Sequence, residues 1–107
     1  MAKRSTTRPR VTRSTGDVFR DLGFSEAEAQ HLRVRGELMI QIEKVLGARG
    51  LKQAEAARIM GVSQPRVSDL LRGRIDLFSS DALIDMLARL GLRVRLVASP
   101  VGSRRVA

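Results

Sequence analysis

Gln53-Ala54-Glu55-Ala56-Ala57-Arg58-Ile59-Met60-Gly61-Val62-Ser63-Gln64-Pro65-Arg66-Val67-Ser68-Asp69-Leu70-Leu71-Arg72-Gly73 is the stretch on which the reading of this chain turns. Its first part is short and rich in Ala, and Gly61 stops it. Ala56, Ala57 and Met60 recur at helical spacing and form one inner face. Ala57 is small enough to let a second helix cross closely. Gly61 permits the positive φ of a tight turn, and Val62 fills the space beneath it. Ser63 then caps a second helix, with Pro65 tolerated in its first turn because the N–H it lacks would have no partner there. Val67, Leu70 and Leu71 are the inner face of that helix. Gln64, Arg66, Ser68, Asp69 and Arg72 are left for its outer face.

Outward from this stretch the chain stays helical. Ser25 to Glu28 is S-x-x-E, the pattern of a capping box. It opens a long helix ending near Arg49-Gly50, where Gly50 fits a left-handed cap. Leu38, Met39, Ile42, Val45 and Leu46 mark its buried face. Gly36 weakens its middle by about 1 kcal/mol against Ala and fits a close helix contact, a kink or a division into two helices. Val18, Phe19, Leu22 and Phe24 form a short apolar cluster ahead of it that anchors the chain start through one helical turn. Downstream, Ser79 or Ser80 caps a further helix with Leu83, Ile84, Met86, Leu87 and Leu90 inside, closed by Gly91. Leu92-Arg93-Val94-Arg95-Leu96-Val97-Ala98 then alternates apolar and basic, the period of a half-buried strand. The fold class is therefore an all-α, compact bundle of about five helices, with one C-terminal β-strand.

Charge is distributed unevenly. The 107 residues carry a formal net charge of +9. Residues 1–16 hold Lys3, Arg4, Arg8, Arg10 and Arg13 with no acid, and residues 99–107 hold Arg104 and Arg105. These read as a disordered basic arm and a disordered tail around a body, residues 17–98, of net charge only +2. Within the body, Lys44, Arg49, Lys52, Arg58, Arg66, Arg72 and Arg74 are opposed only by Glu55 and Asp69 over residues 44–74. A local positive face on short helices is the footprint of phosphate binding.

Composition excludes several classes. The absence of Cys removes disulfide scaffolds and thiolate zinc sites, and a single His31 cannot build the usual metal site or supply a convincing triad. No catalytic residue, cofactor site or metal site is expected, so the chain is not expected to be an enzyme. His31 reads as a surface or interface residue, and Met39, Met60 and Met86 as core filling. No run of 18 apolar residues exists and the N-terminus lacks an apolar signal segment, so a cytoplasmic, nucleoid-associated protein is expected, with no membrane partner.

Two short helices joined by a three-residue turn with Gly describe a helix-turn-helix. Here the sequence resembles the Cro/repressor-like, or XRE, helix-turn-helix family over Leu38 to Leu90. The Gln-x-x-x-Ala-x-x-x-Gly-Val-Ser-Gln frame carries that likeness. Asp17-Val18-Phe19-x-Asp21-Leu22-Gly23-Phe24, Pro65 to Gly73, and Asp76-Leu77-Phe78-Ser79 further resemble the HigA-like antitoxins of type II toxin–antitoxin systems. The resemblance implies that Ser63 to Arg72 is a recognition helix lying in the major groove of double-stranded DNA. Base reading would fall to Gln64, Arg66 and Ser68, with Gln suited to adenine and Arg to guanine. Phosphate contacts would fall to Lys52, Gln53, Arg72 and Arg74, with Gln53 also bracing Gln64. Asp69 is expected to pair with Arg66 or Arg72. Where the family usually has a Thr cap before the Gln, this chain has Lys52, which forgoes a cap worth about 1 kcal/mol and opposes the helix dipole. Such local rule-breaking points to a phosphate contact.

A lone strand has unpaired N–H and C=O groups on both sides. The simplest partner is the same strand of a second copy, with Leu92, Val94 and Leu96 facing the helices. The resulting homodimer would hold two recognition helices about 34 Å apart, matched to a palindromic operator. Residues 11–15 have some β character and could pair with a partner strand. By resemblance, the expected function is an autoregulating repressor and antitoxin whose partner is a RelE/HigB-like ribonuclease toxin. Two alternatives stay open: a stand-alone or phage-type XRE regulator without a toxin, and a partner-neutralising interaction module whose DNA binding is secondary.

Overall fold

The computed structural model describes residues 19–100; the arm over residues 1–16, its candidate strand and residues 101–107 of the tail lie outside the described residues. After a short helical segment over residues 19–21, the turn expected at the Phe19 cluster, four α-helices and one 3-10 helix make up the regular structure among the described residues. They are α1 (Glu26–Ala48), α2 (Gln53–Met60), α3 (Gln64–Leu71), the 3-10 helix Ile75–Leu77 and α4 (Ser80–Arg89).

Capping defines the long helix. Ser25 Oγ accepts from the Glu28 N–H at 3.1 Å, and the Glu28 carboxylate accepts from the Ser25 N–H at 2.9 Å. These hydrogen bonds hold the Glu28 carboxyl below its ordinary pKa, the Ser25 backbone bond being the larger cause. The helix runs unbroken through Gly36, so it is not divided there. Its buried residues are Ala29, Leu38, Met39, Ile42 and Leu46, so the main apolar face belongs to its C-terminal half.

That half of α1 packs along α4, while α2 packs against α3 and α4. The core between them contains Ile42, Ala56, Met60, Val67, Leu70, Phe78, Leu83 and Leu87. Two residues depart from the inner faces that spacing assigns. Leu71 is 37% exposed and Ile84 36%, because each lies at the margin of its apolar stripe. The Phe19–Phe24 pair forms, edge to face at 6.0 Å between ring centres, but these rings lie outside the main buried core and Leu22 is 70% exposed.

The C-terminal segment carries no strand among the described residues, since ladder pairing needs a second strand. Its alternation holds at the start. Leu92 and Val94 are half-buried against the core, and Arg93 and Arg95 are exposed. Leu96, which the alternation puts on the inner face, is instead 81% exposed, and Val97 beside it is 89% exposed. No helix among the described residues is long and apolar enough to cross a membrane. No group of three or more His, Asp or Glu among them could hold a metal ion.

Candidate nucleic-acid interface

The turn between α2 and α3 is Gly61-Val62-Ser63. Gly61 sits at φ +72° and ψ +32°, in the left-handed region, with its N–H donating to the Ala57 carbonyl. The Val62 N–H donates to the same carbonyl at 3.0 Å, and the Val62 side chain packs on the core. Ser63 Oγ accepts from the Arg66 N–H at 3.3 Å and so starts α3. Ala57 and Val67 are both buried where the two helices meet.

With Val67 and Leu70 wholly inside, α3 presents the opposite side to solvent. Gln64 and Arg72 are exposed and Ser68 is half-exposed between them. Four-residue spacing puts these three on one stripe of the helix. Lys52 and Gln53 stand exposed at the start of α2. No hydrogen bond joins Gln53 to Gln64 among the described residues; Gln53 instead borders a shallow open depression together with Leu51, Val67 and Leu71.

Lys52 occupies the N-cap position of α2. An ammonium group only donates, so it cannot cap the helix N–H groups. The reciprocal half of a capping box is present: the Glu55 carboxylate accepts from the Lys52 N–H at 2.9 Å. One backbone donor is therefore satisfied, and the Lys52 side chain is left in solvent.

Arg74 is exposed and faces Asp69 at 4.0 Å, so Asp69 pairs with Arg74 and not with Arg66 or Arg72. The reason is the turn after α3. The Arg74 N–H donates to the Asp69 carbonyl, which folds the chain back over that side of the helix. A pair this long and this exposed contributes about 0–1 kcal/mol.

Arg66 is placed differently from Gln64 and Ser68. Its guanidinium donates from Nη1 to the Leu77 carbonyl at 2.9 Å. Its Cζ lies 4.1 Å from the centre of the Phe78 ring. Arg35 of α1 reaches the next carbonyl, donating from Nη1 to Phe78 O at 3.4 Å. Two arginines from separate helices thus meet at one short segment, an arrangement absent from the sequence reading. A local signal for part of it exists. Ser79 is the N-cap of α4, which makes Phe78 the preceding residue and Leu83 the fourth of the helix, the two positions of a hydrophobic staple. Both are fully buried. Nothing local announces Arg35, which lies 43 residues from its acceptor.

No curated protein matches this sequence. A family model described as a helix-turn-helix domain matches residues 18–99. That span contains the α2–turn–α3 unit, the helices that support it and most of the segment that follows α4. The chain accordingly belongs to this helix-turn-helix domain family, and is a DNA-binding protein of regulatory type.

Proposed function

We propose that the protein is a sequence-specific transcriptional repressor of the XRE, Cro/repressor-like kind, and the autoregulating antitoxin of a type II toxin–antitoxin pair. The observation that carries the DNA-reading part is the solvent-facing stripe Gln64–Ser68–Arg72 on the second helix of the motif. In this reading α3 enters the major groove, Gln64 bonds adenine through both its amide atoms, and Ser68 supplies a second polar contact. Arg66 joins the base readers only if its guanidinium leaves the Leu77 carbonyl. Lys52, Gln53, Arg72 and Arg74 contact phosphates. The weak Asp69 pair leaves Arg74 free to turn to a phosphate at little cost. Repression is by occupancy of the promoter, in the cytoplasm, with no reaction catalysed.

The protein acts as a homodimer on a palindromic operator. Support comes from the segment over residues 92–98, which has no ladder partner among the described residues and carries the exposed apolar pair Leu96 and Val97. Antitoxin function, with a RelE/HigB-like toxin as partner, is supported by the resemblance of Asp17–Phe24, Pro65–Gly73 and Asp76–Ser79.

The test is a footprint of the purified full chain on the DNA upstream of its own gene. A protected palindrome is expected, with half-sites about 34 Å apart. Gln64→Ala should weaken operator binding by about 1–3 kcal/mol and relax preference at one base pair per half-site. Binding to random DNA should stay unchanged. An operator footprint unaffected by Gln64→Ala overturns the recognition assignment. For the antitoxin claim, co-expression of a neighbouring small toxin-like reading frame should be harmless only with this protein present.

A further inference from the structure

We infer that Arg66 is a positioning residue: it grips the segment between the 3-10 helix and α4 from behind the recognition helix, and so sets the seat of Gln64 and Ser68. This rests on the DNA-binding reading above and assigns Arg66 a role different from base contact.

Helical geometry comes first. At about 100° per residue, Arg66 lies roughly 200° around α3 from both Gln64 and Ser68. A side chain in that place leaves the helix on the side away from the reading stripe. The observed contacts agree with this direction. The Arg66 guanidinium is held at 2.9 Å by the Leu77 carbonyl and lies 4.1 Å from the centre of the Phe78 ring. That ring is 1% exposed and belongs to the core, so it is a fixed platform.

Chemistry explains why Arg suits the position. The planar guanidinium stacks on an aromatic face and still directs N–H groups outward in its plane, which an ammonium does not do. Leu77 ends the 3-10 helix and Phe78 follows it, so both carbonyls lie at the negative end of that turn. Arg66 takes one and Arg35 takes the other. Neither arginine forms an ion pair with a carboxylate among the described residues. The segment 77–78 is thus held by side chains from both α1 and α3 where the chain enters α4.

The backbone completes the grip. The Arg66 N–H is fixed by the Ser63 cap, two residues from Gln64 and in the same turn. With its backbone capped and its side chain anchored, Arg66 fixes both the roll and the axial position of the first turn of α3. Loss of the anchor lets that turn rotate, and Gln64 rotates with it.

The experiment is a double-mutant cycle with Arg66→Met and Phe78→Leu in the full chain, at a temperature where every variant is folded. Binding is measured to the operator, to single-base-pair variants of it, and to random DNA. Each substitution should lower the ratio of operator to random-DNA affinity by about three- to tenfold. The order of preference at each base pair should stay as in the unmodified chain, and the double variant should lose no more than the larger single loss. Amide exchange in the first turn of α3 should quicken in both single variants. A change of preference at one base pair in Arg66→Met alone makes it a base reader and overturns the inference. An unchanged affinity ratio, or additive losses, also overturns it. If the unmodified chain does not distinguish operator from random DNA, the recognition reading fails instead. The exchange rates of α3 then decide the grip: no quickening in Arg66→Met and Phe78→Leu overturns it.

Discussion

Two glycines of this chain invite the same substitution with opposite results. Gly61 holds φ +72° in the turn of the motif, and an added Cβ would lie 3.0 Å from Nη1 of Arg89. The guanidinium of Arg89 is tied to Asp85 at 3.1 Å but sits at the end of a flexible chain, so it can move. The strain is therefore mainly in the backbone, where a left-handed non-Gly residue costs roughly 1–2 kcal/mol. Gly47 lies inside α1, with no positive φ and nothing within 4 Å of an added Cβ. Alanine there should gain up to about 1 kcal/mol. Urea unfolding should show Gly61→Ala losing about 1–2 kcal/mol and Gly47→Ala gaining about 0.5–1 kcal/mol. The turn glycine was legible in the sequence because local spacing defines the turn. The direction of Arg66 was not. Its place with the base readers followed from the family resemblance, while its contacts come from a carbonyl and a ring eleven and twelve residues further along.

At the scale of elements, α2 begins with a residue that weakens its own helix. Lys52 stands where a hydroxyl would cap, and only the Glu55 carboxylate compensates. Replacing Lys52 with Thr should stabilise the protein by about 1 kcal/mol, read from its unfolding midpoint. The same change should weaken binding to every DNA sequence alike, and reduce the slope of log affinity against log salt by about one unit. An unchanged salt slope would make Lys52 a solvent-exposed residue with no role on DNA. Helix ends were readable because caps are local: Ser25, Ser63 and Ser79 each accept from a backbone N–H three residues on. Marginal positions were not. Leu71 and Ile84 have the right residue type and nearly the right angle, and only the width of the neighbouring helix decides which side of the boundary they fall on.

At the scale of the molecule, the apolar pair Leu96 and Val97 lies past the end of the helical core. Lysine at both positions should leave each domain folded, since neither side chain packs on that core, and any fall in the unfolding midpoint should be the part that depends on protein concentration. In the dimer reading, sedimentation should show the unmodified chain as two copies and the Leu96→Lys/Val97→Lys variant as one. The variant should bind an isolated half-site normally and lose the advantage of the full palindrome. A dimer that survives both lysines rules out this segment as its seam. The alternation over residues 92–95 was legible because Leu92 and Val94 meet their own chain's core. At Leu96 the same pattern runs past that core, and sequence periodicity does not reveal where a helical layer stops.

The order of elements along the chain has a further consequence, for the time course of folding. Helices α2 and α3 are neighbours in sequence and pack on each other, so their contacts close short loops. Helix α1 packs chiefly on α4, across the whole motif. Local contacts form quickly and distant ones later. During synthesis the apolar stripe of Leu38, Met39, Ile42 and Leu46 must therefore wait for the last helix before its main cover arrives. The reading head of the protein can assemble early, but the nascent chain stays adhesive until Leu83, Met86 and Leu87 have emerged.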